Sequence, residues 1–423
     1  LISYLCVRLE SGNFERSFSS CVTIDSSLTT MGPKPKRRVM TRGRNECSVE
    51  LDAPKLPTRR GGRQKLTTRA QLRRLASAEP RAPIGKKFVH KSASDGSYSS
   101  QRKNGPIEEW MNSTAELGVR GVRKEFVRDI KGYVPSGSQS AWESDKNFDK
   151  NRYEDIRLLD KTRVIIKKAP SDDDYIHASY VKVDENLTYI CAQGPLENTV
   201  QNFWIMIIQE ESKVVLQLCQ MRENGKEQSA EYFPKNSTTK NYGAVLVKVK
   251  EKPTHAIGLK SVTRSKIQAT YEGKTQEVLH ILYAGWPDHC VADSPTVCCG
   301  VRSLVHKNYD KKPVIVHCSA GVGRTGTFVA IEMAISKLKG KEVASISDLA
   351  KSLRDQRMGA IQNDQQYLFI YRMVIEILMN EDLLTKDLQV INFLKDYEDV
   401  IQRKKAERTR KSCEYWFNTN PYI

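Results

Sequence analysis

Residues 313–328 read Pro-Val-Ile-Val-His-Cys-Ser-Ala-Gly-Val-Gly-Arg-Thr-Gly-Thr-Phe. This segment constrains the chain more than any other. A short β-branched run leads into a loop with glycines at Gly321 and Gly323, and an apolar helical pattern starts at Arg324. A buried strand, a tight turn and a helix N-terminus must therefore follow one another within a few residues. Glycine lets the backbone curl until successive N–H groups point inward. The partial positive charge of a helix N-terminus favours an anion at that place. The loop Cys318, Ser319, Ala320, Gly321, Val322 and Gly323 is thus a nest for a phosphate-sized anion.

Cys318 opens this loop, where inward amides and the helix end favour a thiolate. A thiolate is a strong nucleophile at neutral pH. Arg324 closes the loop, and its planar fork can clamp two phosphate oxygens. Thr325 can donate its hydroxyl to the sulfur, which helps sulfur as a leaving group.

The surrounding pattern is that of a mixed domain. Strand-like runs are expected at Arg163–Lys167, Ala178–Val183, Thr188–Ala192, Lys213–Cys219, Ala244–Val249, Glu277–Tyr283 and Pro313–His317. Helical spacing marks 108–131, Thr199–Glu211, Thr296–Lys307, Arg324–Lys339 and Gln365–Met379. Strands mixed with helices predict an α/β (α+β) fold around a central mixed sheet. A further helix is expected over 383–411, with Leu384, Leu388, Ile391, Leu394 and Val400 as its apolar stripe, packed on the domain.

The net charge of +18 over 423 residues is uneven. Residues 31–104 hold 20 Lys/Arg against 5 Asp/Glu, a difference of +15. With few aromatics and much Pro, Ser and Gly, that segment is expected to be disordered, with a short helix around 70–78. Its run Pro33-Lys34-Pro35-Lys36-Arg37-Arg38-Val39 could be read by nuclear import machinery, although a solvated basic tail explains it more simply. An acidic partner or a nucleic acid could be drawn to the same charge, but no nucleic-acid-binding signature accompanies it. Residues 1–30 are left unassigned, and Met31 is as good a start as Leu1. No apolar run of about 18 residues suggests a membrane span. Ten cysteines at irregular spacing, with no C-x-x-C pair, read as reduced thiols of the cytosol or nucleus rather than a zinc site.

The run from Cys318 to Thr325 matches C-x-x-x-x-x-R-[S/T], and with His317 before it and Gly326 after it the segment resembles the protein tyrosine phosphatase family. Similar single-domain, non-receptor enzymes with basic amino-terminal extensions occur in an expanded nematode group. The resemblance covers about residues 108–380. It implies a highly twisted mixed sheet flanked by helices, a catalytic domain over 105–380 and a C-terminal helical extension over 381–423. It also implies hydrolysis of phosphotyrosine through a phosphocysteine intermediate, with no metal or organic cofactor. Trp286-Pro287-Asp288 resembles the family's mobile loop, which makes Asp288 the general acid and then the general base. Lys150–Ile156 resembles the substrate-recognition loop. There Tyr153 would stack on the phenyl ring and set the pocket depth, while Asp155 would hold the substrate backbone. Gln362–Tyr367 resembles the glutamine loop, where Gln366, assisted by Gln362, would position the hydrolytic water. Glu223 would pair with Arg324 and orient it. Four positions depart from the pattern: Cys290 and Ala292 replace a glycine and a proline after the acid loop, Asn363 replaces a threonine, and Gln228 stands where a lysine is common near the closed loop. A binding-only relative, or a scaffold acting through its basic tail, are the competing readings.

Overall fold

The computed structural model describes residues 105–170, 173–235 and 238–419. Residues 1–30, the basic segment with its import-like run, and the helix expected at 70–78 lie outside the described residues.

Helix α1 (Pro106–Glu125) opens the domain with Pro106 at its first turn, two glutamates near its start, and Arg123 and Lys124 near its end. That order complements the helix dipole. Gly118, at φ +58°, breaks the helical geometry midway. Further helices are α2 (Ser140–Glu143), α3 (Val200–Gln209), α4 (Pro295–Lys307), α5 (Arg324–Lys339), α6 (Ile346–Arg354), α7 (Asp364–Asn380) and α8 (Leu388–Thr419).

Among the described residues, nine strands form one sheet. They are β1 (Arg163–Ile165), β2 (Tyr175–Lys182), β3 (Thr188–Ala192), β4 (Val214–Gln217), β7 (Thr239–Tyr242), β8 (Val245–His255), β9 (Val262–Tyr271), β10 (Lys274–Tyr283) and β11 (Val314–His317). A separate small hairpin pairs β5 (Arg222–Glu223) with β6 (Lys226–Glu227). The order across the large sheet is β1-β2-β3-β11-β4-β10-β9-β8-β7. Its centre, β3-β11-β4-β10, is parallel, and the outer strands are antiparallel.

Side chains alternate across this sheet as the two-residue period requires. Val314 and Val316 enter the core on the side of α1, α4, α5 and α7, while Ile315 enters the core on the side of α3. Every residue of β4 and β11 is buried, as expected of strands covered on both faces. The parallel centre aims its C-terminal ends at one edge, where the Cys318 loop begins.

The extension α8 packs its Val390, Phe393 and Tyr397 into the main core. This corrects the expected stripe in part: Leu384, Leu394 and Val400 do pack against the core, half-buried. Leu388 and Ile391 are exposed, because positions 390, 393 and 397 share one helical face and carry the larger apolar area. No described helix is long and apolar enough to cross a membrane.

Candidate active site

The loop from Cys318 to Gly323 is wholly buried, and Cys318 is 3% exposed. Its carbonyls are all engaged by the surrounding protein. The His317 carbonyl accepts from Leu218 N, and that of Ser319 accepts from Gly194 N. The carbonyls of Ala320 and Gly321 accept from Arg357, a fully buried guanidinium that also reaches His177 and Ser179. The Val322 carbonyl accepts from Gly326 N and Ile361 N, and the Gly323 carbonyl from Thr327. His317 Nδ1 stands 3.2 Å from the Cys318 carbonyl. A carbonyl only accepts, so this ring nitrogen carries the proton.

With the carbonyls tied outward, the amides face the hollow. Among the described residues, none of these ties uses an amide of 319–323. Helix α5 also lacks a side-chain cap at its N-terminus. Positive φ at Gly321 (+68°) makes the curl, and a Cβ there would lie 2.1 Å from the Ala192 carbonyl oxygen. Only glycine fits.

Arg324 is buried beneath this hollow. It donates to both oxygens of Glu223 at 2.8 and 3.0 Å, to the Trp286 carbonyl at 3.0 Å and to Asp288 Oδ1 at 3.1 Å. Burial alone disfavours its charge, but Cys318 and the carboxylates of Asp288 and Glu223 push its pKa above the ordinary guanidinium value. The fork is therefore a fixed cation. Its Nε, the Thr325 hydroxyl and Gln366 Nε2 are buried with no hydrogen-bond partner. Buried donors without partners are expensive, and these three surround one loop. The expected bond from Thr325 to the Cys318 sulfur is not formed.

The other expected residues converge on the same place. Asp288 and Trp286 lie on the loop after β10, with the Trp286 ring buried against Tyr283 and Phe369. Gln366 lies in the first turn of α7, where its Oε1 accepts from Gln362 N at 2.9 Å. Gln362 Oε1 would stand 2.3 Å from a Cβ at position 323, so it borders the hollow. Tyr153 Oη is 2.7 Å from Ser319 Oγ, and its ring packs beside Ile156, Ala320 and Val322 as a wall of the mouth. Asp155 is exposed at the rim.

Three residues escaped the sequence reading. Arg357 holds two loop carbonyls from outside. Arg152 donates to the carbonyls of Gly194 and Pro195. Tyr232 contacts His317 Nε2 at 2.9 Å and His280 Nε2 at 2.8 Å. Arg152 carried a weak signal, since it sits inside the run Lys150–Ile156, whose neighbours drew attention first, whereas Arg357 lies in no motif. Burial pushes the thiols of Cys191, to about 12, and of Cys219 and Cys298 upward, which leaves them protonated bystanders.

Comparison with known proteins agrees with this geometry. A family model described as protein-tyrosine phosphatase matches residues 147–376. The rat tyrosine-protein phosphatase non-receptor type 20 is 31% identical over 266 residues, covering 61% of this chain and 61% of that protein. The human non-receptor type 7 enzyme is 31% identical over 279 residues, covering 63% of this chain and 73% of its own length. A solved structure concerning the PTPN18 fingerprint on distinct HER2 tyrosine phosphorylation sites superposes with a TM-score of 0.54 at 26% identity, covering 65% of this chain and 95% of that one. The chain spans less than two thirds of the length of the type 20 protein. A twisted mixed sheet, a buried cysteine loop closed by arginine, and a match over more than half of the sequence lead to one assignment: the chain belongs to the protein-tyrosine phosphatase family.

Proposed function

We propose that this chain hydrolyses phosphotyrosine in proteins, yielding protein tyrosine and inorganic phosphate through a phosphocysteine intermediate. The observation that carries this reading is the set of three unpartnered buried donors around Cys318: Arg324 Nε, Thr325 Oγ1 and Gln366 Nε2. Together with the loop amides they suit a tetrahedral dianion.

The Cys318 thiolate attacks phosphorus in line, and the bond from phosphorus to the tyrosyl oxygen breaks. Asp288 gives its proton to that oxygen. Arg324 and the loop amides stabilise the charge spread over the equatorial oxygens. In the second step Gln366, with Gln362, orients a water. Asp288 takes its proton, oxygen bonds to phosphorus, and the phosphorus–sulfur bond breaks to regenerate the thiolate. Tyr153 sets the depth of the mouth, so an aryl phosphate reaches the sulfur and a short alkyl phosphate does not. Asp155 at the rim is placed to hold the substrate backbone. Glu223 orients Arg324, and His317 and Trp286 support the loops.

A nucleophilic thiol needs a reducing compartment, so the same reading puts the enzyme in the cytoplasm. Residues 31–104 would then serve location or encounter with acidic partners, 105–380 catalysis, and 381–423 support. Nuclear entry through residues 33–39 is the finer form of that idea, tested by neutralising Lys34, Lys36, Arg37 and Arg38.

The test of the chemistry is hydrolysis of phosphotyrosine and phosphoserine peptides by the chain and by Cys318→Ser. Turnover of phosphotyrosine alone, abolished in the variant with peptide binding kept, is the expected result. Parent-like turnover in Cys318→Ser would remove this cysteine from the mechanism.

A further inference from the structure

The acid loop is tied residue by residue. The Trp286 carbonyl and the Asp288 carboxylate accept from Arg324. The Cys290 carbonyl accepts from Trp286 Nε1 at 2.9 Å, and Cys290 N donates to the Pro287 carbonyl. His289 adopts φ +56°, a region uncommon for a residue with a side chain. Its carbonyl accepts from Asn363 Nδ2 at 3.1 Å, while Asn363 Oδ1 caps the start of α7.

One tie comes from outside the matched region. Arg408, near the end of α8, places one guanidinium nitrogen against Cys290 Sγ and another 2.6 Å from Gln365 Oε1. Gln365 adjoins Gln366 in the first turn of α7. A single rigid fork thus spans the loop that carries Asp288 and the turn that carries Gln366. The helix that presents it is itself anchored through Val390, Phe393 and Tyr397. Cys290 and Asn363, both departures from the family pattern, are the residues that meet these two clasps.

We propose that Arg408 is a positioning residue, which fixes the acid loop against the glutamine turn and thereby sets how often Asp288 is in place to deliver its proton. The C-terminal helix is then part of the working enzyme. This rests on the reading of Asp288 as the general acid, and it extends that reading to a residue that touches no substrate. A thiol is a weak acceptor, so the clasp works mainly through packing at Cys290 and the firm bond at Gln365.

The test uses the full chain. Arg408→Gln should lower kcat about tenfold on a phosphotyrosine peptide, on the scale of one charge-assisted hydrogen bond. KM and the melting temperature should stay at the parent values. The loss should be much smaller with an aryl phosphate whose leaving group departs without a proton. Arg408→Lys keeps one arm and should lose less. Cys290→Ala should act in the same direction, and the double variant should lose no more than the larger single loss. Equal losses on both substrates, or parent-like rates on both, overturn the proposal. Hydrogen exchange across residues 286–291 reads the clasp without turnover. It should rise in Arg408→Gln, and unchanged exchange also overturns the proposal. A parent chain inert toward phosphotyrosine whose loop exchange still depends on Arg408 would sink the phosphatase reading and keep the clasp.

Discussion

Asp288 Oδ1 lies 3.1 Å from a guanidinium nitrogen of Arg324, so the loop that carries the carboxylate is already folded over the cysteine loop. The same guanidinium holds Glu223 from its other side. One cation therefore organises two carboxylates, of which one is 13% exposed and the other 27%. The more open of the two is the one placed to meet a leaving group.

Replacing that carboxylate separates an enzyme from a phosphotyrosine reader. Asp288→Ala should cut turnover of a phosphotyrosine peptide by about 10²–10⁴-fold, the usual contribution of a general acid. Binding should persist, because the amides and Arg324 are untouched. With an acidic aryl leaving group the loss should shrink. Steady-state rates on the two substrates check this, and equal turnover of parent and variant on the peptide would count against proton delivery by this loop.

Tyr153 tests specificity. Its hydroxyl bonds to Ser319 Oγ at 2.7 Å, so Tyr153→Phe should raise KM modestly, by the equivalent of about 0.5–1.5 kcal/mol. Tyr153→Ala removes the wall itself. The ratio of phosphotyrosine to phosphoserine turnover should then fall. An unchanged ratio would mean that another residue sets the depth.

Gly321 tests the curl. Gly321→Ala meets a left-handed backbone and the Ala192 carbonyl at once. Strain of this kind costs about 1–3 kcal/mol before the clash is counted. Urea unfolding should show the loss, and inhibition by inorganic phosphate should weaken. A variant with parent stability and parent phosphate affinity would contradict the geometry.

Three buried histidines predict an acid-labile fold. Burial depresses His177 and His280 to about 3 and His317 to about 4. In the unfolded chain a histidine titrates near about 6.5. Below that pH the unfolded chain gains protons that the folded chain refuses, so stability is full above about 6.5 and falls as pH drops toward 4. The urea midpoint should be clearly lower at about pH 5 than at about pH 7. A flat profile would mean that these imidazoles find room to charge.

The cysteine loop, its strand and its helix were legible because three periods change within one short stretch. β3 and α5 match their expected bounds residue for residue. Strand β9 was missed although Ile267, Ala269 and Tyr271 alternate with polar neighbours. Arg264, Lys266 and Gln268 on its open face made the run look like a loop. Helix α6 was missed because it is short, although Ser345 accepts from Asp348 N as a cap. The clasp by Arg408 could not be read at all. It joins residues remote in sequence through the path of α8, and that path is set by the burial of Phe393 and Tyr397.

Strand β11 enters the sheet between β3 and β4, two strands laid down far earlier in the chain. Its pairing is all long-range, and contacts of that kind form slowly because a long loop must close first. The setting of the reactive thiol is therefore complete only when both neighbours are in place. A partly assembled chain has neither the amide ring nor the buried arginine beneath it. Recovery of activity during refolding is accordingly expected to follow the insertion of the central strand.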